Sequence, residues 1–436
     1  MANPLASLRA RHGAGPLVVA AAVPFLFLHR NYQPGMDLGA LHVDVSDVAV
    51  LAVVVAGVLA LRRELTSARA VWLALGALAL LIVVGVLWGA LRFDAYTART
   101  HLTTAAKWIE YMLLAPAVAA VARRPRDLVP AAVTLVVWDA VAGVVGILQF
   151  FGALSDLDGT PAGRRKPSFV GYHDYAALSG AALLVALLVL ARGARSPSER
   201  RLALTAGVAG AIGMVLGGAF DSLLGLLLGA TAIVLVLRVR DARRIVPIAA
   251  IVLVVTFGIV TIRSSAVADG LKFVGIKQGT GGASTHIQSY RQRALLAYIG
   301  GRIFLDHPVL GVGWEGSSDP YAFTPYLTDA HKRFNQPPDA FPSAQHRWGV
   351  QNAYVQSLAD LGVLGLLAFL AALLVPGLVA VRRGAGDARV LGVALTLLAV
   401  GAWNGYGLVA GIPLDALTWL AVGVAAASVC FMTESA

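Results

Sequence analysis

The chain of 436 residues contains a single cysteine, Cys430. That excludes an intrachain disulfide framework and any cysteine-based metal site. Charge is scarce as well. Only 14% of the residues are Asp, Glu, Lys or Arg, against about 25% in an ordinary soluble domain. Lysine is nearly missing, with five lysines against thirty arginines. No run of Asp, Glu or His has metal-ligand spacing, so neither a metal nor another cofactor is expected. There is no internal repeat, no low-complexity tail and no pair of inverted halves of the transporter kind. The first apolar stretch has no A-x-A site near its end, so it reads as a signal anchor rather than a cleaved peptide. What fills the chain instead is apolar: 58% of it is hydrophobic. A soluble protein of this size could not hide that much apolar surface. A soluble enzyme, a disordered chain and a fibrous repeat are all excluded, and despite a net charge of +11 no nucleic-acid partner is expected.

A membrane-crossing helix needs about 20 mostly apolar residues. Twelve stretches qualify, near 14–29, 44–61, 71–91, 102–122, 128–151, 174–192, 203–219, 222–238, 245–263, 351–381, 389–410 and 413–431. The fourth starts polar, and the seventh and eighth are joined by a tight turn at Phe220-Asp221. The connecting loops alternate in charge. Arg9/Arg11, Arg62/Arg63/Arg69, Arg123/Arg124/Arg126, Arg192/Arg195/Arg200/Arg201, Arg238/Arg240/Arg243/Arg244 and Arg382/Arg383/Arg389 all fall on one side. Cytoplasmic loops carry an excess of Arg and Lys, so these nineteen cations mark the cytoplasmic face. The expectation is an all-α polytopic membrane protein with about 12 transmembrane helices and both termini cytoplasmic. The Arg-, Ala- and Gly-rich composition points to a GC-rich bacterium and its inner membrane. Residues 1–264 would hold spans one to nine, 265–350 a large external loop, and 351–436 spans ten to twelve.

That external loop is long enough to be functional. It holds Trp314, Tyr321, Phe323, Tyr326, Phe334, Phe341 and Trp348. From His286 to His307, helical spacing of Ile287, Tyr290, Ala294, Tyr298 and Ile303 predicts an amphipathic helix near the membrane surface. Pro308 and Gly311-Val-Gly313 would end it. Several external cations oppose the positive-inside bias: Arg164, Arg165 and Lys166 before span six, and Arg291 and Arg293 in the large loop. The planar arginine fork matches phosphate oxygens and stays charged, which points to an anionic lipid head group. The plainer reading is anchoring to the bilayer, or ion pairs with Asp156, Asp158 or Asp269. Intramembrane charges are few. Lys107 and Glu110, three apart on span four, are expected to pair, and Asp139 and Asp360 are too isolated for a proton pathway.

Three segments carry a resemblance. The first is Arg165-Lys-Pro-Ser168-Phe169 with Tyr172-His173-Asp174-Tyr175. The second is Arg291 and Arg293 followed by Asp306-His307-Pro308-Val-Leu-Gly311-Val-Gly313-Trp314. The third runs from Gln351-Asn352-Ala-Tyr354 through Leu358, Asp360 and Gly362 to Gly365. In this order, with a long external loop between spans nine and ten, the chain resembles the O-antigen ligase and Wzy-type polymerase family of integral-membrane glycosyltransferases. The resemblance implies metal-independent transfer of a glycan from an undecaprenyl-diphosphate donor to an acceptor glycan or glycolipid at the external face. It implies that Arg165, with Arg164 beside it, and Arg291, or Arg293 as the alternative, hold the diphosphate. The family's histidine at the head of span ten is Gln351 here, and glutamine cannot take up a proton near neutral pH. His346, five residues upstream, has the chemistry of a general base. Glu315, Asp319 and Asp339 are the nearby carboxylates, and Asn352 and Asp174 the supporting polar residues. Asp174 stands where many relatives carry asparagine. Ligase and polymerase stay open, since they differ in the acceptor, and so does the oligomeric state. The rival readings are a transporter or flippase for a lipid-linked glycan and a non-enzymatic membrane scaffold. A scaffold would tolerate loss of Arg165 and Arg291.

Overall fold

The computed structural model describes residues 13–38, 41–156, 164–273, 289–410 and 412–431. It is a bundle of apolar helices. In chain order these are α1 (Ala14–Leu26), α2 (Val45–Leu59), α3 (Arg69–Arg92), α4 (Ala98–Met112), α5 (Leu114–Val121), α6 (Val129–Phe150), α7 (Tyr172–Arg192), α8 (Pro197–Gly217), α9 (Phe220–Val236) and α10 (Ala242–Ile262). They continue with α11 (Ser264–Phe273), α12 (Ser289–Asp306), α13 (Pro320–Arg333), α14 (Ala353–Arg383), α15 (Gly386–Ala402) and α16 (Ile412–Cys430). Among the described residues, eight helical segments are long and apolar enough to cross a membrane, and α1, α2 and α9 are shorter apolar helices. The chain is an all-α, polytopic integral-membrane protein apart from one small hairpin. Strands β1 (Gly35–Leu38) and β2 (Leu41–Asp44) pair antiparallel, with Gly35 opposite Asp44. The sequence reading did not foresee them, because two four-residue strands leave no periodicity to detect.

The bundle has a centre and a rim. Helix α7 packs against α8, α9, α15 and α6, and 89% of its apolar window is buried. Helix α16 is buried nearly as deeply, whereas α10 buries only 17%. Small residues let the central helices approach closely, as in other membrane bundles. At Gly392, for instance, a Cβ would lie 2.6 Å from the Ala425 backbone. The rim helices show Leu253, Val254, Phe257, Leu73 and Leu80 outward, as lipid-facing surfaces do.

Lys107 and Glu110 do not form the expected pair. Lys107 Nζ turns instead to Asp47 at 2.8 Å and Asp44 at 3.5 Å. Two carboxylates at the start of α2 offer more than one carboxylate on its own helix. Asp139 accepts from Ser179 at 2.6 Å, a buried structural bond.

Span ten breaks inside the bundle. Gly362 of α14 has φ +69°, a conformation open to glycine and strained for other residues. The break frees helical carbonyls, and buried carbonyls need partners. The segment after α12 supplies them: Val312 N–H donates to Ala359 O at 3.0 Å and Gly313 N–H to Asp360 O at 2.9 Å. In return Val363 N–H donates to Pro308 O at 2.9 Å. Gly311 also has positive φ, and a Cβ on it would overlap the Asp360 backbone. The His307–Gly313 motif and the Gly362 motif are therefore two halves of one interlock, which docks α12 onto α14.

Candidate active site

The site is assembled at the end of the bundle where α7, α9 and α14 begin and α8 and α10 end. The loop from Arg164 to Gly171 is pinned there by its own polar residues. Gln149 takes both backbone groups of Ser168, accepting from its N–H at 2.9 Å and donating to its carbonyl at 3.2 Å. Lys166 bridges Asp156 at 3.0 Å, one of the ion pairs the sequence reading allowed for. Asp158 lies outside the described residues, as does the Asp269 side chain.

This frame delivers Arg165 to the C-terminus of α8. Its Nε donates to Gly217 O at 2.8 Å, and its guanidinium lies 4.9 Å over the Tyr172 ring. Gly218 ends α8 in the left-handed conformation, and a Cβ there would press on the Cγ of both Arg165 and Arg263, at 3.3 and 3.5 Å. Arg165 Nη2 is buried without a hydrogen-bond partner among the described residues. Burial first, and then the neighbouring Arg263 charge, push the Arg165 pKa down to about 10. Arg263 is lowered too, by burial and then by Arg293. Arg164, Arg165 and Arg263 line a cavity of about 540 Å³. A larger one of about 820 Å³, lined by Leu190, Leu204, Ile212 and Ile251, offers Arg200 as its one charged group. The chemistry is therefore at the arginine end.

Arg293 enters from α12. Its Nη2 lies 3.3 Å from His173 Nε2 and 3.3 Å from Gly405 O, and its Nε 3.4 Å from Gln351 Oε1. Arg291, two residues back and half-buried, sits about 200° round the same helix. The structure thus brings Arg165, Arg293 and Gln351 to one place. His173 Nδ1 faces Asp221 at 3.0 Å, and Tyr406 packs edge-on against the His173 ring at 5.5 Å. Asp174 is buried beneath, beside Tyr406 and Leu414. Asn352 caps α14, accepting from Tyr354 and Val355 N–H at 3.1 Å, and donates to Asn404 at 3.3 Å. Four guanidiniums, counting Arg164 on the same cavity, outnumber the carboxylates of Asp221 and the buried Asp174, so this end is net positive. The starts of α7, α9 and α14 add their positive dipole ends. The arrangement suits a divalent anion.

Glu315 and Asp319 meet each other elsewhere, on α4. Asp319 Oδ2 lies 2.9 Å from His101 Nε2 and Oδ1 3.1 Å from Arg347 Nη1. Glu315 accepts from Thr104 and lies 3.5 Å from His101 Nδ1. Burial raises the Asp319 carboxyl, but the bonds from His101 and Thr97 outweigh it and hold it below the usual range. His346 is exposed, its ring stacked on Trp348, and Asp339 accepts from Trp348 through its backbone carbonyl. Helix α12 begins at Ser289, and His286 and Ile287 lie outside the described residues. Its buried row is Leu295, Leu296, Ile299 and Ile303, packed with Phe323 and Phe341, rather than Ala294 and Tyr298. It serves a small separate core with α13 and Phe341.

Arg263, Asp221 and Tyr406 escaped the sequence reading, and His173 figured there only as part of a motif. Arg263 and Asp221 are charges at the ends of apolar helices, which is the one signal that marks them.

Residues 205–370 match the family model described as O-Antigen ligase. The match includes Asp221, Arg263, Arg293, Gln351 and the α12–α14 interlock; Arg165 and His173 precede it. Among curated proteins none matches the chain. Through this segment the chain is similar to the O-antigen ligase family.

Proposed function

We propose that the protein transfers a glycan from an undecaprenyl-diphosphate donor to an acceptor glycan or glycolipid at the external face of a bacterial inner membrane. One observation carries the reading: Arg165, Arg263 and Arg293 converge around the carboxylate of Asp221, where three helices start. Like charges are not gathered in a half-buried site without an anion to hold them. Arg164 lines the same cavity. A diphosphate leaves well once its developing charge is neutralised by preorganised donors, so the chemistry needs no metal.

The topology follows from the same helices. The site lies at the start of α7, and Arg192, at its end, pairs with Asp387. Its 21 residues span about 30 Å, the thickness of the hydrocarbon. The arginine clusters then mark the cytoplasmic face, with both termini there. The eight long segments, three short helices and the broken pair α4–α5 make twelve spans, with an external segment between the ninth and tenth.

The test is transfer of label from a radiolabelled undecaprenyl-diphosphate glycan in proteoliposomes containing EDTA, wild type against Arg165→Ala. Transfer by wild type and its loss in the variant are expected. Equal transfer by both would remove Arg165 from diphosphate binding. Passage of the intact lipid across the bilayer without transfer would overturn the enzymatic reading in favour of a flippase.

A further inference from the structure

Glycan transfer needs a group that takes the acceptor's proton, and Gln351 cannot. Among the described residues around the arginines, the side chain suited to the task is His173. Its two ring nitrogens face opposite chemistry. Nδ1 lies 3.0 and 3.2 Å from the two Asp221 oxygens, and a carboxylate accepts, so Nδ1 carries the hydrogen. Nε2 lies 3.3 Å from Arg293 Nη2, and a guanidinium only donates. Nε2 is therefore the unprotonated nitrogen and presents its lone pair to the arginine cluster. The ring is braced in this setting by Tyr406 on its edge. The His173 side chain keeps 23% of its surface exposed while Asp221 keeps 3%. That is the layout of a general base oriented by a buried carboxylate.

We propose that His173, oriented by Asp221, is the general base of the transfer; this rests on the glycan-transfer reading above. The acceptor hydroxyl gives its proton to His173 Nε2 as its oxygen forms the bond to the anomeric carbon. The bond from that carbon to the diphosphate oxygen breaks, and its electron pair leaves with the diphosphate, held by Arg165, Arg263 and Arg293. The imidazolium formed is balanced by Asp221 and passes its proton to water or to the departing diphosphate. Asp221 is a positioning residue. Arg293 has two uses in this scheme. Before the donor arrives it covers Nε2, and a bound diphosphate competes for the same guanidinium and draws it away. The base is then uncovered only when the leaving group is in place.

The experiment compares wild type, His173→Ala and Asp221→Asn in the proteoliposome transfer assay, with binding of undecaprenyl diphosphate measured on the same preparations. His173→Ala is expected to lower kcat about a hundredfold or more, to bind undecaprenyl diphosphate within a fewfold of wild type, and to regain activity with added imidazole. Asp221→Asn should lower kcat with little change in KM for the donor. Retention of kcat within threefold in His173→Ala, or its loss together with binding and without imidazole rescue, would overturn the proposal. So would loss of transfer in His346→Ala beside an active His173→Ala. If wild type transfers nothing, the glycan-transfer reading itself fails, and the base falls with it.

Discussion

His101 and His173 each sit beside a buried carboxylate, and they are opposite devices. His101 has a carboxylate on each ring nitrogen, Asp319 at 2.9 Å and Glu315 at 3.5 Å, and its side chain is 4% exposed. Both nitrogens face carboxylates, Nε2 within a hydrogen bond of Asp319 and Nδ1 at contact distance from Glu315. His173 has a carboxylate on one nitrogen and a donor-only arginine on the other. The first clamps the segment between α12 and α14 to α4, together with Thr97 and Arg347. The second keeps a lone pair aimed at a cationic cavity. The partner on the second nitrogen, more than the presence of a carboxylate, decides whether a histidine is a fastener or a base.

The comparison breaks first at the cationic side. Arg293→Ala removes a diphosphate donor and the cover of Nε2 together, and should reduce kcat/KM for transfer on the order of 10³-fold, the scale of losing one preorganised anion contact. Arg165→Lys keeps charge but loses the fork and its bond to Gly217, so a smaller loss is expected. Steady-state transfer rates decide; an unchanged Arg293→Ala would detach the arginine from the reaction. Asp319→Ala tests the other cluster. It strips His101, Thr97 and Arg347 of a shared acceptor that is 1% exposed, and breaking a buried pair costs about 3–5 kcal/mol. Thermal unfolding in detergent should show it, while the folded fraction keeps its affinity for undecaprenyl diphosphate. If stability held and that affinity collapsed instead, the two clusters would have to be reassigned.

Much of this was legible in residues. Apolar runs and arginine alternation are one-dimensional signals, and the helices follow them from α6 to α10 and from α14 to α16. Arg165 stands out in the sequence as a cation opposite the arginine-rich loops, and the packing sets it beside Arg263 and Arg293. The choice between Arg291 and Arg293 was not, since it depends on the rotation of α12. That rotation is set by the interlock of Gly311 with the Gly362 break, which spacing alone does not reveal. The His173–Asp221 pair bridges 48 residues and two helix starts, so only the packing of α7 against α9 brings it together. Lys107 shows the same limit: a partner on its own helix was the local expectation, and two on another helix won.

The smallest expected effect sharpens the fastener half of the comparison through pH. Asp319 is held below the usual carboxylate range in the folded protein, with burial opposing and the bonds from His101 and Thr97 prevailing. A carboxyl whose folded pKa is depressed stabilises the fold fully above its unfolded value, near pH 4. That contribution fades as pH falls through the folded value, because the unfolded chain binds the proton first. The wild-type melting temperature in detergent should therefore fall more steeply between pH 5 and pH 3 than that of Asp319→Asn, which has no proton to gain there. The variant should start lower and the two curves converge at the acid end. Parallel curves would mean that the Asp319 charge contributes nothing to the clamp, and that His101 is held to the segment between α12 and α14 by Glu315 and packing alone.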